Sequence, residues 1–329
     1  MGEFELLAKL RERLPPAGSK VVLGSGDDAA ITVPGGATAT SVDAIVDGVH
    51  FHREQAEMAQ IGHKALATAL SDLAAMGAEA GEAYVVLGVP SGLGEAQCLE
   101  LLDGLLELAA RTGTTLAGGD VTQAPALSLA VTVVGHAPSA ERLVRRAGAQ
   151  PGDLLVLTGE MGGAAAGLAL LEEPGLASAL PAEIAQRLRL RQLQPMPRLA
   201  AGRALADQGA RAMIDISDGL GADAGHLAAA SGAQLRIDAA TLPLAEGVLA
   251  LADATGRDPL ELAASGGEDY ELLAAIPAER LEAAAAAVGE LEKGTTLTPV
   301  GGVAAGAGVE IRLPGGALLK PAGFDQLRP

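Results

Sequence analysis

The sequence predicts a mixed α/β protein, with α+β character, made of two domains, each a mixed or mainly antiparallel sheet flanked by helices. Three observations predict it. The chain has 329 residues, about twice a typical single domain. Short apolar runs with strand character alternate with longer Ala/Leu-rich stretches of helical spacing in both halves, the pattern of sheets covered by helices. Near the middle, Pro151-Gly152-Asp153 is strong turn chemistry, and it marks the boundary between domains at residues 1–138 and 150–329.

Residues 1–14 form an amphipathic helix with early acids. Residues 21–23 are a short strand, 24–28 a loop and 29–33 a second strand. Pro34-Gly35-Gly36 then turns the chain into a strand over 38–43. Residues 60–76 read as a helix, 84–89 as a strand and 93–111 as a helix with apolar residues at helical spacing. A short strand at 115–117 runs into Gly118-Gly119-Asp120, and 127–134 is a near-continuous apolar strand. In the second half, strand 154–157, a glycine-rich turn from Gly159 to Gly163 and a helix through Leu171 follow one another. Pro181 and Pro197 each suit the first turn of a helix. Strand 212–216 leads into helix 220–230. Strand 235–237, a helix around Val248, the loop 265–269, strand 270–276 and helix 279–291 come next, and short strands around Val300, Ile311 and Leu318 finish the chain.

Composition narrows the function classes. Acids outnumber basic residues 41 to 23, a net charge of −18, which argues against a nucleic-acid partner held by its phosphate backbone. The apolar runs are interrupted well short of a membrane span, and no secretory signal is visible at the amino terminus. The single cysteine, Cys98, makes neither an internal disulfide nor a thiolate metal cage, so a reducing cytoplasmic setting fits and any metal is held mainly by oxygen. With no Trp, two Tyr and three Phe, the core must be built from Ala, Leu and Val, and each aromatic is informative by position.

The pattern that carries chemistry is a set of acids at the ends of apolar runs: Asp27 and Asp28, Asp43, Asp72, Asp120, Asp215, Asp218 and Glu268. Each is flanked by small or apolar residues, where a buried carboxylate needs a cation or hydrogen-bond donors. Singly, a helix cap or a turn explains any one of them. Taken together, with no basic residue beside the Asp motifs, they point to oxygen ligation of Mg²⁺, and Mg²⁺ on several carboxylates accompanies phosphate-bearing substrates. Phosphoryl transfer is the leading class. It does not use a P-loop, because none of the five lysines follows a glycine.

Other motifs weigh less. Gly24-x-Gly26-x-x-Ala29 resembles a dinucleotide fingerprint, yet Asp27 and Asp28 would meet a pyrophosphate with like charge. Gly159-x-x-Gly162-Gly163 suits either a phosphate on backbone amides or close packing of a helix on a sheet. Cys98 lies in a helical stretch and reads as a buried, inert thiol. The five histidines contain no H-E-x-x-H pair, and His50, a few residues after Asp43, reads as a contact to a substrate phosphate.

These motifs, in order along nearly the whole chain, resemble the thiamine-monophosphate kinase family: Gly24-Ser25-Gly26-Asp27-Asp28-Ala29-Ala30, Ser41-Val42-Asp43, Gly48-Val49-His50-Phe51, Leu70-Ser71-Asp72-Leu73-Ala74-Ala75-Met76-Gly77-Ala78, Gly118-Gly119-Asp120, Asp215-Ile216-Ser217-Asp218-Gly219-Leu220 and Ser265-Gly266-Gly267-Glu268-Asp269-Tyr270-Glu271-Leu272. The 71–78 run alone marks only the wider superfamily of aminoimidazole-ribonucleotide synthetases, selenophosphate synthetases and hydrogenase-maturation proteins. The Gly-Gly-Glu-Asp-Tyr-Glu-Leu run makes the resemblance specific.

The resemblance implies ATP-dependent phosphorylation of thiamine monophosphate to thiamine diphosphate in a cytoplasmic homodimer whose amino-terminal domains pair. It implies several Mg²⁺ ions held by Asp28, Asp43, Asp72, Asp120, Asp215 and Asp218, with Ser41 and the backbone of Val42 nearby. It further implies nucleotide contacts at Gly119, Asp120, Arg146 and Ser217, and substrate contacts at His50, Glu268 and Phe324. The amino-terminal domain is then the metal, ATP and dimerisation domain, and the carboxy-terminal one completes the nucleotide and substrate site. The family often has Thr where this chain has Val42, Ala44 and Val121, so Val42 can ligate only through its backbone. No protein nucleophile is called for, and no catalytic side chain is assigned. A selenophosphate synthetase would want a reactive Cys near a Lys in its amino-terminal segment and a hydrogenase-maturation protein a terminal Cys, and this chain has neither. A non-catalytic acidic metal-binding module would want contiguous D-x-D-x-D-G loops, which are also missing.

Overall fold

The computed structural model describes residues 3–16, 18–25 and 29–324. The chain divides into two units, one of Met1–Leu73 and Ala78–Ala140, the other of Ala74–Gly77 and Glu141–Pro329. The first contains α1 (Glu3–Arg13), β1 (Val21–Leu23), β2 (Ile31–Thr32), β3 (Ala37–Val46), most of α2 (Met58–Ala75), β4 (Glu79–Val89), α3 (Glu95–Thr112), β5 (Thr115–Gln123) and β6 (Ser128–Ala137).

Among the described residues, β1 and β2 pair as an antiparallel ribbon, and β3, β6, β4 and β5 lie side by side in that order. The pairs β3–β6 and β4–β6 are antiparallel and β4–β5 is parallel, so the sheet is mixed. Strand alternation gives it one buried face. Leu129, Val131 and Val133 of β6, Ala83, Val85 and Leu87 of β4, and Ala39 and Ile45 of β3 are all buried. The facing positions Val42 and Val86 are 63% and 44% exposed. Helices α2 and α3 approach each other backbone to backbone: a Cβ on Gly104 would stand 1.8 Å from the Ala59 carbonyl oxygen, and one on Gly62 would stand 2.0 Å from that of Leu101. Helix α3 stops at Gly113, whose φ of +72° is left-handed and costs glycine little.

The second unit contains β7 (Leu154–Thr158), α4 (Gly163–Glu172), α5 (Ala182–Leu193), α6 (Leu199–Asp207), β8 (Ala212–Asp215), α7 (Leu220–Ser231), β9 (Gln234–Asp238), α8 (Val248–Thr255), α9 (Pro259–Ser265), β10 (Leu272–Ile276), α10 (Leu281–Leu291), β11 (Leu297–Ala304), β12 (Gly308–Arg312) and β13 (Leu318–Leu319). Among the described residues its sheet runs β13-β12-β9-β11-β7-β10-β8. Only β12–β9 is parallel among the pairs formed there. The core is aliphatic, as the scarcity of aromatics requires. Leu155, Leu157, Ile214, Ile216, Leu220, Leu227, Leu235, Ile237 and Leu273 form one cluster, and Leu170, Leu188, Val248 and Leu251 form a second under α4. Burying each such side chain is worth about 1.5–3 kcal/mol.

The mixed α/β class expected from the sequence is the one observed, and several element limits differ for physical reasons. Strand β3 continues past Asp43 to Val46, and β5 continues through Gly118-Gly119-Asp120 to Gln123. Asp43 and Asp120 therefore lie inside strands rather than at their ends, because the ladder is made by backbone groups and continues through a polar side chain, while Asp72 lies inside α2, as the 60–76 helix places it. The register of β5 shifts where Ala83 and Tyr84 pair with Leu116 and Gly118, and Gly119 runs so close to β4 that a Cβ would stand 2.0 Å from the Val85 carbonyl oxygen. Pro181 is the N-cap of α5, not a first-turn residue, and Pro197 precedes Arg198, the N-cap of α6. Helix α9 was not expected. Its signature was present in Asp258-Pro259: Asp258 caps Leu260 and Glu261 with Oδ1 at 2.8 and 3.0 Å, and Pro259 takes the first helical position. Pro299 sits inside β11 where the register with β7 slips, which is where a residue without an N–H fits an interior strand. Among the described residues, no helix is long and apolar enough to cross a membrane.

Candidate active site

In the first unit, strand alternation puts Ser41 and Asp43 on the same face of β3 as the buried Ala39 and Ile45. The Ser41 hydroxyl donates to Asp72 Oδ2 on α2, so strand and helix present an alcohol and a carboxylate together. Asp72 is half-buried between Ser71 and Leu73, at 0% and 1% exposure. Val42 faces the other way, and β3 is an edge strand, so alternate main-chain carbonyls point away from β6. Asp120 is exposed on β5, the opposite edge. Register puts Asp43 in line with Val131, Val85 and Gly119, and Asp120 in line with Val86, Ala130 and Ala44. Three strand spacings, about 14 Å along the sheet, separate the two edges, so the structure groups Ser41, Asp43 and Asp72 and leaves Asp120 apart.

The segment after β3 is knitted around His50. Its Nδ1 accepts from the Val46 N–H at 3.1 Å, so the neutral ring carries its proton on Nε2. Lys64 Nζ, on a side chain buried in α2, donates to the His50 carbonyl oxygen at 3.1 Å. The Gly48 N–H donates to the Phe51 oxygen at 2.8 Å, and Arg53 Nε pairs with Asp47 Oδ2 at 2.5 Å. Phe51 is 6% exposed and anchors the segment. The Cys98 thiol is buried and burial pushes its pKa up, which makes it a packing residue as expected.

In the second unit, Asp215 closes β8 at 4% exposure, and the chain turns through Ser217-Asp218-Gly219 into α7. Asp223, one turn into that helix, is buried and reaches back: its Oδ2 accepts from the N–H groups of Ser217, Asp218 and Gly219 at 3.0, 3.1 and 3.1 Å. Burial pushes the Asp223 carboxyl up to about 7, against the pull of those amides. Glu268 and Tyr270 adopt left-handed backbone with φ of +66° and +51°, a conformation that costs a non-glycine residue energy and is tolerated where the surroundings impose it. The Glu268 N–H donates to the Ser217 oxygen at 2.8 Å and the Tyr270 N–H to the Ile216 oxygen at 2.9 Å. The Glu268 carboxylate accepts from Gln192 Nε2 of α5. Phe324 is 55% exposed, and its N–H donates to the Asp218 oxygen at 2.9 Å. Arg146 is exposed, and its carbonyl accepts from Ser231 Oγ at 3.0 Å.

The glycine-rich turn at 159–163 has a tenant of its own. The Asp269 carboxylate accepts from the Gly162 and Ala164 N–H groups at 2.6 and 2.9 Å, occupying the start of α4. Burial pushes its carboxyl up to about 6. Gly159 lets Glu271 approach, a Cβ there standing 2.2 Å from its Oε1. Glu271, at 0% exposure, is held by Arg198 through two bonds of 2.7 and 2.6 Å. Burial works against the Arg198 charge, but Glu271 and Glu292 hold its pKa above the ordinary value. The amides of this turn are thus taken by a carboxylate of the chain itself, and Gly162 and Gly163 lie against Ala263 of α9 and Arg191 of α5 rather than against the sheet.

Asp28 lies outside the described residues. Asp223, Gln192 and Lys64 were not singled out in the sequence. An Asp in the first turn of a helix gives a signal for Asp223; Gln192 and Lys64 gave none, since their roles depend on which segments fold over them. Among the described residues no group of three or more His, Cys, Asp or Glu side chains stands together as a metal cage. That donor set still fits Mg²⁺, which takes one or two carboxylates and fills its shell with waters and substrate phosphates, and the Ser41–Asp72 pair supplies oxygen donors only.

Comparison with known proteins gives the family. Residues 26–137 match the AIR synthase related protein N-terminal domain and residues 150–314 the AIR synthase related protein C-terminal domain. The thiamine-monophosphate kinase of Mycobacterium tuberculosis (strain CDC 1551 / Oshkosh) is 40% identical over 277 residues, 83% of this chain and 80% of that relative. The chain belongs to the thiamine-monophosphate kinase family. The crystal structure of the thiamine-monophosphate kinase of Stenotrophomonas maltophilia K279a superposes with a TM-score of 0.80 at 36% identity, covering 94% of each chain. AaThiL complexed with AMPPCP and TMP superposes with a TM-score of 0.76 at 28% identity, covering 98% of this chain and 94% of that one. Thiamine-monophosphate kinase family members thus share this chain's fold over nearly its whole length.

Proposed function

We propose that the protein transfers the γ-phosphoryl group of ATP to thiamine monophosphate, giving thiamine diphosphate and ADP. The observation that carries this reading is that the chain is related over nearly its full length to thiamine-monophosphate kinases, one of which binds AMPPCP and TMP in a structure of the same fold. Transfer is direct and in line. An oxygen of the thiamine-monophosphate phosphate forms a bond to the γ-phosphorus as the bond from that phosphorus to the ADP oxygen breaks. The acceptor phosphate has its second pKa near 6 and is already ionised at neutral pH, so neither a protein nucleophile nor a dedicated base is called for.

In this reading Asp28, Ser41, the backbone of Val42, Asp43, Asp72, Asp120, Asp215 and Asp218 would hold several Mg²⁺ ions. When bound there, Mg²⁺ would supply the positive charge that offsets the charge of the phosphates. Gly119, Asp120, Arg146 and Ser217 contact the nucleotide, and the Arg146 guanidinium opposes charge developing on the transferred group. The Nε2–H of His50 donates to the substrate phosphate. Glu268 and the exposed ring of Phe324 suit the cationic thiazolium and flat pyrimidine of thiamine. Residues 1–138 would serve metal, ATP and dimerisation, and residues 150–329 nucleotide and substrate contacts, in a cytoplasmic homodimer.

The direct test is to incubate the protein with ATP, Mg²⁺ and thiamine monophosphate and to follow thiamine diphosphate by chromatography. Thiamine diphosphate should form from the monophosphate and not from unphosphorylated thiamine. Product from thiamine, or none from the monophosphate, overturns the substrate assignment.

A further inference from the structure

The turn between β8 and α7 spends its polar groups in an unusual way. Its three successive N–H groups, at Ser217, Asp218 and Gly219, all point to one carboxylate oxygen of Asp223, at 3.0–3.1 Å. An ordinary helix cap lies ahead of the helix and serves one or two amides; Asp223 lies within α7 and serves three ahead of it. Its own N–H closes the loop on the Gly219 oxygen at 3.0 Å. At 3% exposure, Asp223 leaves those amides little access to water in its place.

The carbonyls of the same turn face outward to two other segments. Ser217 accepts from Glu268 and Asp218 from Phe324, at 2.8 and 2.9 Å. Side chains do not cushion these contacts. A Cβ on Gly267 would stand 2.5 Å from the Ser217 oxygen, and one on Gly323 would stand 2.6 Å from the Asp218 oxygen and 2.4 Å from the Ala222 Cβ. One on Gly221 would stand 2.8 Å from the Ala322 nitrogen. Three backbones are therefore stacked at contact distance, and a shift of the turn is passed on to both neighbours.

We propose that Asp223 is a positioning residue that sets the Ser217-Asp218-Gly219 turn and, through its carbonyls, the placement of Glu268 and Phe324, tying the nucleotide contact to the thiamine contacts. The roles of Ser217, Glu268 and Phe324 in this statement rest on the function proposed above; the mechanical coupling rests on the hydrogen bonds alone. One buried carboxylate then governs two binding events.

The test combines amide hydrogen exchange of the ligand-free protein with steady-state kinetics. In the parent chain, the amides of 217–219, 268 and 324 should open as one group, with a common dependence on denaturant. Asp223→Asn keeps the shape and one acceptor but removes the charge. It should speed exchange of the whole group and raise the KM for ATP and for thiamine monophosphate together, each on the order of tenfold. Gly323→Ala should lift the 321–324 segment off the turn and raise the KM for thiamine monophosphate alone. Separate openings in the parent overturn the proposal even if Asp223→Asn fails to fold. So does an Asp223→Asn protein that loosens 217–219 while 268 and 324 are untouched, which is the behaviour of a plain helix cap. If the parent shows no turnover, the proposed function fails while the exchange measurements still decide the coupling.

Discussion

Asp72 stands in α2 between two fully buried neighbours and receives the Ser41 hydroxyl, so its carboxylate is fixed by packing on one side and by a hydrogen bond on the other. Asp43 shares the strand face with Ser41, two residues along β3. Asn at either position keeps the size and an acceptor oxygen while removing the negative charge that a divalent ion needs. Asp72→Asn and Asp43→Asn should each lower kcat on the order of 10²–10³-fold, with an unchanged circular-dichroism spectrum and melting temperature. Near-parent turnover at saturating Mg²⁺ would count against the metal assignment. These two acids were legible in the sequence because each sits in an apolar run with no nearby base. The hydrogen bond of Ser41 to Asp72 was not legible, since it follows from how α2 packs on β3, nor was the separation of Asp120 to the other edge, which follows from the strand order β3-β6-β4-β5.

At the scale of elements, Asp269 joins the loop before β10 to the start of α4 by accepting from Gly162 and Ala164. Burial raises its pKa from 3.8 to about 6, so the folded chain holds this proton more tightly than the unfolded one. The stability it contributes is complete below about pH 4 and is lost as pH rises through about 6. Asp223, raised to about 7, acts with the same sign. Melting temperature should therefore rise as pH is lowered from 7.5 towards 5, and Asp269→Asn should remove a part of that slope worth on the order of 1–1.5 kcal/mol. An identical slope in the variant, measured by calorimetry, would show that Asp269 does not titrate in this window. The glycine turn it fills was visible in the sequence, but not what fills it, because Asp269 and Gly162 are 107 residues apart.

For the whole molecule, the open face of the four-stranded sheet bears Val42 and Val86, at 63% and 44% exposure, with Ala44 and Ala130 in the same row as Val86 and Asp120 closing that row at the β5 edge, where the apolar strip ends. An apolar strip on an otherwise acidic chain of net charge −18 supports the proposed pairing of amino-terminal units, since burying it against a second copy removes apolar surface from water. Sedimentation velocity should give a dimer for the parent. Val86→Asp, which places a charge in that strip, should shift it towards monomer. A monomeric parent at micromolar concentration would remove dimerisation from the proposal.

Sequence by itself determined the mixed α/β class, the aliphatic core and the family, because these depend on local periodicity, composition and contiguous motifs such as Ser265-Gly266-Gly267-Glu268-Asp269-Tyr270-Glu271-Leu272. Even α9 was written locally, in Asp258-Pro259. Only the tertiary structure decided which acids serve structure and which remain for ligands. Asp223 and Asp269 resemble the proposed metal acids in their apolar flanks, yet their carboxylates are spent on backbone amides, while Glu271 is neutralised by Arg198 from 73 residues away. The physical reason is that burying a carboxylate is tolerated only with compensating donors or cations, and which donors arrive is set by segments that meet in space rather than along the chain.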